Sequence, residues 1–142
     1  MPRVAQEFAD IPFARLVPGS VHRTRYALTT DLVDAYDRLV GVAPARGALG
    51  DARVVPPYLY CTFHPVYRAL GGRMEQGSVH ARQRVEQRGP AYIGDVLDVT
   101  VTVATAELQK DRPTVVLDTE YARDGVLVCR ATATILWGYA AR

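Results

Sequence analysis

The strongest constraint on this chain is a change of period: from Ser78 to Trp137 apolar and polar residues alternate with a spacing of two, with breaks only at turn residues. Successive side chains of a strand point to opposite faces, so each such run is a strand with one wet face. Val79, Ala81, Gln83 and Val85 alternate with His80, Arg82, Arg84 and Glu86, a parity that places His80 on the charged face with Arg82, Arg84, Glu86 and Arg88. After the Gly89-Pro90 break, Val99, Val101 and Val103 alternate with Asp98, Thr100 and Thr102, and Val115, Leu117, Thr119 and Tyr121 continue the pattern. Asp124-Gly125 is the two-residue turn of a hairpin whose returning strand is Val126 to Trp137.

Upstream the signals are of another kind. Pro2, Pro12 and Pro18 punctuate an irregular arm over residues 1–20, and a short strand follows from Val21 to Leu28, with His22, Thr24, Tyr26 and Leu28 on one face. Thr29 and Thr30 offer N-cap hydroxyls, Asp31 and Asp34 complement the positive end of a helix dipole, and Leu32, Tyr36, Leu39 and Val40 recur at helical spacing before Gly41 stops the run. Residues 42–57 read as loop. A shorter helix is predicted from Leu59 to Leu70, interrupted at Pro65 and ended by Gly71-Gly72. Neither a repeat nor a composition shift divides the 142 residues, which are read as a single domain.

One strand, one clear helix, a loop-rich stretch and a run of antiparallel strands define an α+β chain. An amphipathic helix buries its stripe against about five strands when the sheet curls around it, which is the hot-dog arrangement, with Thr30 to Val40 as the enclosed helix. The edges left over predict a dimer or a larger assembly. With 17 Lys and Arg against 15 Asp and Glu, scattered along the chain, the charge gives no basis for nucleic-acid binding. The first twenty residues hold no apolar stretch long enough for a signal core or a span, so the expectation is a cytoplasmic protein away from the membrane. Cys61 and Cys129 lack metal-ligand spacing, and no glycine-rich phosphate loop follows a strand; neither metal nor cofactor is expected.

The segment His80-Ala-Arg-Gln83-Arg-Val-Glu-Gln-Arg-Gly-Pro90-Ala-Tyr-Ile-Gly94-Asp95-Val-Leu resembles the strand, Pro, Gly-Asp and strand signature of MaoC-like dehydratases and hydratases. It is most similar to the N-terminal, fatty-acid-synthase-like dehydratase branch, and with Val55-Pro56-Pro57 upstream and the Gly125 to Trp137 strand downstream the likeness covers most of Val21 to Trp137. Pro90 and Gly94-Asp95 act first as fold markers, ending one strand and turning into the next. The resemblance implies a hot-dog fold acting on a 3-hydroxyacyl or enoyl thioester of coenzyme A or of an acyl carrier protein. In active hydratases of this kind a Gly-Asp-x-Asn-Pro-x-His element supplies an acid/base pair. Here the matching stretch is Tyr36 to Arg46; Val42 stands at the Asp position and Arg46 at the His position. Val has no proton to exchange and a guanidinium stays charged, so neither serves as a general base.

Other groups must then carry proton transfer. His80 matches a His of the resembling branch and starts a strand bordering the acyl tunnel in hot-dog dimers; His64 lies in the aromatic stretch Tyr58 to Tyr67; Tyr36 lies on the helix stripe; Asp51 lies in the loop. These four are the candidate catalytic residues. Gly41 and its neighbouring amides, Tyr58 and Tyr60 are candidates for holding the acyl thioester, with Arg82 and Arg84 for the phosphates of its carrier. Asp31 and Asp34 are read as helix-start residues, and Glu75 as a weaker partner for His80. The leading reading is a hydro-lyase with relocated catalytic groups. The alternatives are a non-catalytic partner in a hot-dog heterodimer, and a polyketide-type domain that binds or cyclises an intermediate.

Overall fold

The computed structural model describes residues 8–41 and 54–141, and the loop positions Val42, Arg46 and Asp51 lie outside them. Five strands, β1 (Val21–Ala27), β2 (Val79–Gln87), β3 (Val96–Gln109), β4 (Arg112–Arg123) and β5 (Val126–Leu136), form one antiparallel sheet in the order β1-β3-β4-β5-β2. Strands β1 and β2 are its edges. The β3–β4 and β4–β5 hairpins turn at Lys110-Asp111 and Asp124-Gly125, and both residues of each turn have positive φ. This matches the right-handed twist of the strands they join.

Alternation divides the sheet as the sequence predicts for β3, β4 and β5. Val99, Val101, Val103, Val115, Leu117, Tyr121, Ala131, Ala133 and Ile135 are all buried on the inner face. The outer face carries the network of Asp118, Arg130 and Thr132. The Gly-Asp motif is confirmed as a structural device. Gly94 has φ 99°, and the Asp95 carboxylate accepts the Tyr92 amide at 2.9 Å and Arg123 of β4 at 2.8 Å.

Two helices follow different rules. Helix α1 (Thr30–Val40) begins with the Thr29 hydroxyl accepting the Leu32 amide at 3.2 Å and ends at Gly41, φ 75°, as its caps predict. It is not the enclosed helix, however. Helix α2 (His64–Leu70) packs across β1 and β3, and the 3-10 turn Pro57–Cys61 before it covers β2 and β5, while α1 makes only marginal contact with any strand. The α1 stripe is also rotated from the expected one: Val33 and Asp37 are buried and Leu39 is 82% exposed. Caps and spacing report how well a helix forms by itself; its place in a fold follows from how much apolar surface it must hide. From Tyr58 to Leu70 the apolar side chains leave no continuous polar face, which marks the segment that goes inside. Pro65 does not interrupt this helix but sits in its first turn, where its missing N–H costs nothing.

The described part of the arm, residues 8–20, holds one 3-10 turn, Phe13–Arg15, and is docked. Leu16 is buried, the Ile11 amide donates to the Arg73 carbonyl at 2.8 Å, and the Trp137 indole donates to the Ile11 carbonyl at 2.8 Å.

Candidate functional site

Strand β2 changes register part-way along its pairing with β5. Val79 and His80 pair with Leu136 and Ile135, whereas Arg82, Gln83, Arg84 and Val85 pair with Thr134, Ala133, Thr132 and Ala131; Ala81 is the extra residue of a bulge. Directly paired residues of an antiparallel ladder share a face, and one added residue reverses parity. His80, Gln83 and Val85 therefore stand with the buried Ile135, Ala133 and Ala131 on the inner face, while Arg82 and Arg84 stand outside with Thr134 and Thr132. This corrects the sequence parity, which placed His80 with the arginines.

The inner placement gives His80 specific neighbours. Its Nε2 lies 2.8 Å from Gln83 Oε1, and the Phe63 ring meets the imidazole edge-on with centroids 5.1 Å apart. In a neutral imidazole, this bond to an amide oxygen makes Nε2 the donor and leaves the lone pair on Nδ1. Gln83 and Phe63 also line a narrow cleft between the 3-10 turn and the sheet, floored by Leu117, Thr119, Ala131 and Ala133 and walled by Tyr60 and Cys61. Its free volume is about 10 Å³, no more than one water molecule needs.

Behind the cleft the tyrosines pack together: Tyr60 and Tyr121 centroids are 5.2 Å apart, and Tyr26 and Tyr121 6.2 Å. The Tyr121 hydroxyl donates to the Tyr60 carbonyl at 3.2 Å and the Tyr26 hydroxyl to the Leu59 carbonyl at 3.4 Å, fixing the 3-10 turn to the sheet. Tyr60 is 1% exposed and its hydroxyl has no partner among the described residues. Burial, with smaller contributions from Cys129 and Asp95, pushes its phenol up to about 12, and burial likewise pushes the Cys129 thiol up to about 11. Both groups are neutral at physiological pH, Tyr60 as a hydrogen-bond donor and Cys129 as an inert thiol.

The remaining candidates are dispersed. His64, the first residue of α2, is exposed and faces the Phe8 ring at 5.6 Å. Tyr36 lies 6.3 Å from Tyr58, whose hydroxyl donates a short hydrogen bond to the Asp37 carboxylate; burial and then Asp37 push the Tyr58 phenol up to about 12. The Gly41 amide donates to the Asp37 carbonyl at 2.9 Å and so is engaged within α1. Arg84 pairs with Glu86 at 2.9 Å. Glu75 does not meet His80; it accepts the Phe13 amide at 2.9 Å. The structure thus sets Tyr60 in the wall of the cleft and His80 beside it, against the lining residues Gln83 and Phe63, places Tyr36, Tyr58 and Gly41 near α1, and turns Arg82 and Arg84 to the other face. Gln83, Phe63 and the buried Asp37 are not among the residues that the sequence marks as candidates. Gln83 had a signal, since it stands in the motif beside His80, but its alignment with His80 depends on the bulge.

The sheet order, the enclosed helix and the hairpins have counterparts among solved structures. The (R)-hydratase from A. caviae involved in PHA biosynthesis superposes with a TM-score of 0.67 at 21% identity, over 87% of this chain and 98% of that one. The MaoC-like dehydratase from Rhodospirillum rubrum gives 0.65 at 21%, over 86% and 93%. The chain has the hot-dog fold. The HadBC (3R-hydroxyacyl-ACP dehydratase) complex from Mycobacterium tuberculosis shares this hot-dog architecture with a TM-score of 0.66 at 20% identity, over 84% of this chain and 96% of that one. No family profile and no curated protein matches the sequence. Among the described residues of this hot-dog chain no helix is long and apolar enough to cross a membrane, and no cluster of His, Cys, Asp or Glu has the makings of a metal site.

Proposed function

We propose that this hot-dog protein is a hydro-lyase acting on a 3-hydroxyacyl or enoyl thioester, carried by coenzyme A or an acyl carrier protein, with His80 in place of the acid/base pair lost at Val42 and Arg46. The observation that carries this reading is the bulge at Ala81, which turns His80 onto the inner face, bonds it to Gln83 and seats it on Phe63 at the cleft. Bulges recur beside active sites because they re-aim one side chain without disturbing the rest of a strand. Hydration is balanced with this one base. Nδ1 of His80 takes a proton from water, the hydroxide oxygen bonds to C3 of the enoyl group, and the proton returns to C2 as the double bond is lost. Tyr60, a neutral donor whose hydroxyl has no partner among the described residues, is suited to the thioester carbonyl, which gains negative charge in that step.

The cleft is too narrow for an acyl chain in a single copy, and β2 is exposed on both faces along nearly its whole length. A second chain pairing with the free edge of β2 would cover Val79 and Val85 and add the missing wall, so we place the working unit as a dimer. The same observation supports the second reading, in which this chain is the silent member of a heterodimer. Purified protein supplied with crotonyl-CoA separates them. Measurable hydration supports the enzyme reading; silence that an added hot-dog chain relieves supports the partner reading. Silence under both conditions, with no binding of the thioester, would overturn both.

A further inference from the structure

We propose that the outer face of the sheet carries a second site, for a small molecule with closely spaced phosphate groups. A groove of about 450 Å³ opens there, lined by Arg82, Lys110 and Arg112 with Thr114 and Thr134 between them. The three cations come from three places in the chain. Arg82 is turned outward by the bulge and pairs with Thr134, Lys110 is in the β3–β4 turn, and Arg112 opens β4. Most other strand arginines are matched to carboxylates, Arg84 to Glu86, Arg130 to Asp118, Arg123 to Asp95 and Arg25 to Asp98, with Arg23 of β1 the exception among the described residues. Arg82, Lys110 and Arg112 have no such partner among the described residues; Arg112 instead lies over the Tyr139 ring, 5.7 Å from its centroid, which steadies the guanidinium. Three converging cations repel one another, and a bound polyanion relieves that repulsion while the guanidinium forks donate paired hydrogen bonds to phosphate oxygens.

The dimensions select the ligand class. A groove of this volume suits a small molecule, whereas an acidic helix would need a longer basic stripe. The site lies on the opposite face from His80, so it stands or falls independently of the acyl-thioester reading.

Calorimetric titration of the full chain with inorganic phosphate, pyrophosphate and ADP tests the site. Saturable one-to-one binding of pyrophosphate is expected, about tenfold tighter than phosphate, and weakened about tenfold or more in R82Q/R112Q. R25Q/R88Q, which removes the same charge elsewhere, should leave it unchanged. ADP binding more tightly than pyrophosphate would show that the apolar floor of Val116 and Leu136 takes a nucleoside, and equal binding would show recognition of the diphosphate alone; each upholds the site. Absence of saturable binding, or equal weakening in both double variants, would overturn it, with thermal melts confirming that each variant is folded.

Discussion

Strands β4 and β2 show the same alternation in sequence and end in opposite conditions. In β4 the inward residues Val115, Leu117, Thr119 and Tyr121 are almost fully buried, flanked by strands on both sides and covered by the helical segment. In β2, one neighbour and one free edge leave every residue but Glu86 exposed. The inner strands convert their period into a core. The edge strand, relieved of that duty, presents His80 on Gln83 and Phe63 beside a cleft. Stability and chemistry are thus assigned to different strands of one sheet, and that separation makes the comparison testable.

The sharpest test is His80→Ala. Loss of a proton-transfer group typically costs about 10²–10⁴-fold in rate, so kcat/KM for enoyl-CoA hydration should fall by that order while the melting temperature holds. A parallel loss of stability would place His80 among the β4-like residues instead. Gln83→Ala should lower the rate by a smaller factor, since it orients the imidazole without exchanging a proton.

Next in size is the core. Leu117→Ala removes a side chain 2% exposed and should cost about 2–5 kcal/mol in denaturant unfolding, whereas Val85→Ala on β2, 36% exposed, should change stability by about 0.5 kcal/mol or less. Equal costs would erase the contrast between the strands. The tyrosines give a finer version. Tyr121→Phe leaves the Tyr60 carbonyl without its donor and should cost about 1–2 kcal/mol. Tyr60→Phe removes a hydroxyl without a partner among the described residues and should be neutral or stabilising. If Tyr60→Phe also lowers kcat/KM, its hydroxyl acts on substrate and not on the fold.

The smallest effect is on the outer face. Hydrogen bonds from Arg130, and secondarily from Thr132, hold the Asp118 carboxyl below its ordinary 3.8. A carboxyl depressed by folding contributes stability above its unfolded value and loses it as pH falls through the lower folded value. Asp118→Asn should therefore lower the melting temperature slightly at pH 7, and the difference should shrink as pH falls below the ordinary 3.8 and through the lower folded value. A difference that persists in acid would mean that shape, not charge, is what Asp118 supplies.

Much of this architecture is legible in the sequence because it is written in local chemistry. Asp124-Gly125 can hardly be other than a hairpin turn, Thr29 caps α1 as its hydroxyl requires, and the alternation of β3 to β5 assigns their faces correctly. What escapes is whatever depends on counting across partners. The bulge at Ala81 leaves no mark on composition, yet it reverses the face of His80 relative to the arginines beyond it. Capping points to α1 as the enclosed helix, whereas enclosure is decided by the apolar girth of residues 58–70. The candidate site was legible in His80 and Tyr60. It was not legible in Phe63, an aromatic among many until the fold sets its ring against His80.

The most direct measurement is heteronuclear NMR of the full chain titrated with a non-hydrolysable acyl-CoA thioether. If the inner face of β2 is where the acyl group is held, the ring signals of His80 and Phe63 and the side-chain amide of Gln83 should shift together and saturate, with Asp118 and Arg130 unmoved. Saturation that leaves those three unchanged, or shifts only on the outer face, would contradict the assignment.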